Sequence, residues 1–171
     1  MLAWSKLFWP KNWEYTNLMA NALAQFIGQL LLNRPTRRKP LTELVDDLQN
    51  DGQTILANCK QLPDTPANRA SLAHIIAIEC WGQRRLKVGL GASPTIDQSD
   101  AYYPAPDLGW PALQALFGQT RQATLTLAQQ LGQVDLNQTV QHNDLGALTL
   151  KGWLSYLQKH AYFEAKKLKA R

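Results

Sequence analysis

The stretch LAHIIAIECW, Leu72–Trp81, is apolar on nearly every side when wound as a helix, interrupted near its centre by His74 and Glu79. A helix without a solvent face must be enclosed by other elements, so it demands an assembly of several helices around it. The chain has 171 residues, 45% hydrophobic and 18% charged, which suffices for one domain with a single core. Six tryptophans add a large aromatic share to the packing.

The remaining pattern is helical almost throughout. WEYTNLMANALAQFIGQLLLN, residues 13–33, carries Leu23, Phe26, Ile27, Leu30 and Leu31 at helical spacing, and Pro35 and Pro40 then break the chain. LTELVDDLQNDGQTILANCKQL predicts a second helix, with Thr42 as its N-cap and Glu43 or Asp46 in the first turn. After the turn PDTPAN, RASLAHIIAIECWGQRRLKVGL predicts a third, ending at Gly89 or Gly91. ASPTIDQSDAYYPAPDLG contains three prolines and reads as a long crossing loop, either a plain connection or the wall of a pocket. WPALQALFGQTRQATLTLAQQL predicts a fourth helix with Pro111 near its start. GQVDLNQTVQHNDLG is a second loop, and LTLKGWLSYLQKHAYFEAKKLK predicts the last helix. No β-alternating run appears, so the expected class is all-α.

The formal net charge of +5 is divided among separate clusters. They are Arg34, Arg37, Arg38 and Lys39; Arg84, Arg85 and Lys87; and Lys166, Lys167, Lys169 and Arg171. A nucleic-acid surface would need one basic face with interleaved aromatics, and none is visible, so no nucleic-acid partner is expected. Cys59 and Cys80 have neither CxxC nor zinc-ribbon spacing. The start, MLAWSKLFWPKNW, lacks an uninterrupted apolar run followed by a small-residue cleavage site, and no stretch approaches the ~18 apolar residues of a membrane span. The expectation is a cytoplasmic protein without stable membrane insertion. Trp4, Phe8, Trp9 and Trp13 with nearby lysines leave a membrane-surface role open for the N-terminal segment.

In the last helix, Leu150, Leu154, Leu157, Ala161 and Leu168 define a core stripe. Glu164 falls in that stripe, and His160 stands beside it, so both face the interior. A carboxylate facing a core must be paired, protonated or bound to a metal. His160 and Glu164 are four residues apart and can reach one ion, or they can form an ordinary i, i+4 pair. His74, in the most apolar helix and on the side of Ile78 and Trp81, is either a third ligand or a core histidine hydrogen-bonded to backbone or a neighbouring side chain. Glu79 lies about 140° around the helix from His74 and is poorly placed to join. His142, in a polar loop, is expected to be a surface or turn residue.

At LAHIIAIECWGQRRL, the long loop and DLGALTLKGWLSYLQKHAYFEAKKL, the chain resembles the DinB-like superfamily of four-helix bundles, which includes metal-dependent thiol S-transferases. The resemblance covers roughly residues 41–171. It implies a bundle over 41–171; residues 1–40, an N-terminal helix and basic linker, lie outside the resemblance and are expected to pack on that bundle. In the family one ligand comes from the first pattern and two from an HxxxH pair in the last helix. His74 and His160 match the first two positions, and Glu164 replaces the third histidine. Two histidines and a carboxylate suit Zn²⁺, Ni²⁺ or Fe²⁺ with open positions.

Two functions from different classes remain open on the sequence. The first is a metal-dependent enzyme of thiol S-transferase or hydrolase type, acting on a small molecule such as a thiol, with Tyr102, Tyr103 and Arg84 binding substrate. The second is a non-catalytic helical bundle that has lost the metal, with His160 and Glu164 as a structural pair. Such a bundle would act as a structural or interaction protein, for instance a homodimer. No Ser/His/Asp set, phosphate-cradling loop or dinucleotide fingerprint offers a rival chemistry.

Overall fold

The computed structural model describes residues 23–26 and 28–170. Most of the predicted first helix and its aromatic cluster, Trp4 to Trp13, lie outside the described residues. Among the described residues, four long helices carry the fold: α1 (Leu41–Cys59), α2 (Pro66–Gly89), α3 (Trp110–Gln130) and α4 (Leu150–Ala165). Ahead of α1, Gln29–Asn33 forms a π-helical turn and Arg34–Thr36 a short α-helical one. This segment lies against α4 and the small sheet.

Each long helix follows from local chemistry. α1 buries Leu44, Leu48, Gly52, Ile55 and Cys59, an i, i+4 stripe. Its N-cap is Pro40 in extended conformation, not the expected Thr42, because the preceding proline already turns the chain. The hydroxyl of Thr65 caps α2 by accepting from the Asn68 N–H, with Pro66 in the first turn. At the other end, Gly91 takes φ +98°, and the N–H groups of Gly91 and Ala92 donate to Val88 and Lys87, a Schellman closure. α2 is buried on several faces, from Leu72 through Ile75, Ile76 and Trp81 to Leu86, as its apolar sequence requires.

The packing is a ring. α1 lies against α3 and α4, and α2 lies against the same two, so α1 and α2 face one another across the diagonal despite the short turn joining them. One half of the core gathers Leu48, Trp81, Leu148, Trp153 and Leu154; the other gathers Ile55, Ile75, Phe117 and Ala161.

The described residues are mostly helical rather than all-α. The second loop holds an antiparallel hairpin, β1 (Thr139–His142) and β2 (Gly146–Thr149), in the register Thr139↔Thr149 to His142↔Gly146. Val140 and His142 point inward from β1, and Leu148 from β2. His142 is not a surface residue: only 4% of it is exposed. Its Nδ1 accepts from the N–H groups of Asp144 and Leu145, so the imidazole closes its own turn, and Gly146 at φ +75° completes it. The Trp153 indole donates to the Val140 carbonyl and the Gln138 amide to the Gly89 carbonyl, tying the hairpin to α4 and α2.

A polar network crosses the core beside Gly52. Glu79 is buried, as is its partner Arg121, whose guanidinium donates to the carboxylate at 2.8 Å and to the Leu48 carbonyl at 3.0 Å. The Thr124 hydroxyl donates to the other carboxylate oxygen at 2.7 Å. A Cβ on Gly52 would stand 2.8 Å from Arg121 Cγ, so the glycine is what lets the arginine pass. Burial pushes the Glu79 carboxyl upward against the pull of Arg121 and Thr124. Arg121→Met, which strands that carboxylate, should cost about 3–5 kcal/mol in urea denaturation, and adding Glu79→Leu should recover much of it.

Candidate metal centre

His74 on α2 and His160 and Glu164 on α4 come together although they are distant in sequence. Each offers one ligand atom, and these atoms all lie within 4.8 Å of one another. Tetrahedral donors at ~2.0–2.2 Å from one ion lie about 3.3–3.6 Å apart, so the three side chains would have to draw together by up to about 1 Å to hold one. All three residues are half-buried, reachable from outside yet partly shielded. His74 is thus less enclosed than its apolar neighbours suggest.

The imidazoles of His74 and His160 meet edge to face with centroids 5.0 Å apart. Burial, reinforced by the neighbouring His74, pulls the His160 pKa down to about 4, so its ring is neutral at pH 7 and keeps a lone pair for a ligand. The Tyr103 hydroxyl lies 2.8 Å from His74 Nδ1, which leaves Nε2 as the nitrogen available to a metal. Burial alone would raise the Glu164 carboxyl, but hydrogen bonding and charge from Lys167, with the two histidines, hold it below its ordinary value. The Lys167 ammonium donates to Glu164 at 2.7 Å.

The residues expected to bind substrate part company. Tyr103 joins the histidines. Tyr102 donates its hydroxyl to Asp97 instead, and Arg84 donates to the Ser93 carbonyl at 2.7 Å. Arg85 is fully buried, donating to the Asp97 carboxylate at 2.5 Å and stacking 4.6 Å over Trp81. No part of its surface is left to meet a substrate. Asp97 also accepts from Thr95, and its backbone carbonyl accepts from the Trp81 indole. Burial would raise its carboxyl, yet Tyr102, Thr95 and Arg85 together hold it down at about 2.

Tyr156 and Lys167 escaped sequence reasoning. Tyr156 lies between His142 and His160, with ring centroids 4.8 and 5.8 Å away, and burial lifts its phenol to about 12. The signal was present, since Tyr156 and His160 stand one helical turn apart, but tyrosine at helical spacing more often means packing.

Burial also pulls His142 down to about 4, and its Nδ1 already serves as a double acceptor. The unfolded chain therefore takes up protons below pH ~6.5 that folded His142 and His160 refuse until about pH 4. Stability should fall as pH drops through that window, by on the order of a few kcal/mol. In His142→Asn, which keeps an acceptor at the Nδ1 position, denaturation midpoints measured across the window should show a shallower slope. For an ion held by this set, Tyr103→Phe should lower the affinity by about tenfold or more in a Zn²⁺ competition titration, because it frees His74 to rotate. Compared with family models, curated proteins and solved structures, the chain matches none, and the centre stands on its own residues.

Proposed function

We propose that this chain is a DinB-like four-helix bundle and a metal-dependent enzyme of thiol S-transferase or hydrolase type. The observation that carries the reading is the approach of His74, His160 and Glu164 from two helices to one point. The donor set fits Zn²⁺, Ni²⁺ or Fe²⁺: two imidazoles and one carboxylate, three protein ligands with room for more. A metal bound there supplies Lewis acidity, lowering the pKa of a thiol or water.

The chain's own residues prepare that chemistry. Burial keeps His160 neutral, and Tyr103 holds His74 by Nδ1. Glu164 contributes one negative charge against the divalent ion. Lys167 competes for that carboxylate, but it is 63% exposed and can swing into water when the carboxylate is claimed. The Tyr156 ring packs beside His160, with centroids 5.8 Å apart.

The Lys167–Glu164 pair favours a second reading, because it satisfies the carboxylate without any metal. Under that reading the bundle is non-catalytic and the three residues are packing and surface groups. Elemental analysis of tag-free protein separates the two. The enzyme reading expects about one equivalent of transition metal, lost in His160→Ala and reduced in Glu164→Gln, with a lower melting temperature after chelator. No metal after incubation with Zn²⁺, Ni²⁺ and Fe²⁺ would leave the second reading standing. Unchanged metal in Glu164→Gln would remove that residue from the ligand set.

A further inference from the structure

Beside the candidate centre runs a cleft of about 800 Å³ between the start of α2 and the stretch that follows Tyr103. That size falls within the ~300–1,000 Å³ typical of small-molecule sites. Ala70 and Ala73 form one wall, Pro104, Ala105 and Pro106 the other, and Leu113 of the core closes it. The two prolines lack an N–H and have fixed φ, so this wall needs little reorganisation to receive a ligand.

The cleft connects to the centre through two residues. Ala73 precedes His74 on α2, and Tyr103 lines the cleft while its hydroxyl sits 2.8 Å from His74 Nδ1. Its charges are already spent. Asp64 and Arg69 line the rim and hold each other through two bonds of 2.5 and 2.7 Å. A charged guest would have to part that pair or go without a counter-ion, whereas an uncharged one needs neither.

We propose that this cleft binds an uncharged apolar or aromatic small molecule, with its polar end toward Tyr103 and His74. In the enzyme, it would hold the body of the substrate next to the centre, an assignment that rests on the metal reading. The cleft itself is built from α2 and the loop and is present without an ion.

The test is calorimetric titration of the full tag-free chain at pH 7 with 2-naphthol and naphthalene-2-sulfonate. They share a ring system and differ in charge, and the sulfonate is a poor metal ligand. Naphthol should bind about tenfold tighter or better, since the sulfonate would lose water without finding a partner. Ala70→Trp and Ala105→Trp fill the cleft from opposite walls at exposed positions, and each should weaken naphthol by about tenfold or more. Equal affinity for the two probes, or naphthol binding untouched in both folded variants, overturns the proposal. Metal content read on the same samples separates it from the enzyme reading. Selective naphthol binding by a chain that takes up no metal keeps the cleft and sinks the enzyme. A metal-bearing chain that does not discriminate keeps the centre and sinks the cleft.

Discussion

A guanidinium with no exposed surface organises this molecule. Arg85 sits near the end of α2, and its charge has no water to turn to. It is tolerable only because the crossing loop delivers Asp97 to it, at a carboxylate oxygen and again at the backbone carbonyl. Asp97 in turn binds Thr95 and Tyr102, and Asn143 of the hairpin donates to its carbonyl. One buried cation thereby fixes the long loop and links it to the hairpin turn. The position of Tyr103, the residue after Tyr102, follows from that anchorage. So does the alignment of the proline wall beside α2.

Much of the helical layout was legible because helices announce themselves by period, proline and glycine. The all-round apolar centre of α2 forced a multi-helix answer, and Gly91 marked its stop through a conformation few other residues adopt. The hairpin was not legible. Each strand has four residues, too few to establish alternation, and the inward set mixes Val140 and Leu148 with a histidine. His142 misled for the same reason: a histidine among Gln, Asn and Asp looks solvated, whereas here its ring stacks on Trp153 and its nitrogen closes the turn.

The site was legible to a similar degree. Spacing alone could pair His160 with Glu164, and the apolar setting singled out His74, but only the fold brings α2 and α4 side by side. What no pattern disclosed was the use of neighbouring charges. Arg84 and Arg85 are adjacent and chemically alike, yet one faces a loop carbonyl at the surface and the other is sealed in the interior. Burial of a charge is decided by whether a partner arrives, and Asp97 arrives from a separate segment.

The diagonal placement of α1 and α2 bears on how the chain reaches this state. Neighbours in sequence that do not pack together gain little from forming first, because the surface each must cover is supplied by α3 and α4. The early half of the polypeptide therefore leaves a synthesis machine with its apolar stripes bare until the later half has emerged. Closing the crossing loop precedes most of the reward, which raises the sequence separation of native contacts and slows folding relative to an up-and-down arrangement of equal length. Until then the first two helices present apolar surface on which other chains can associate.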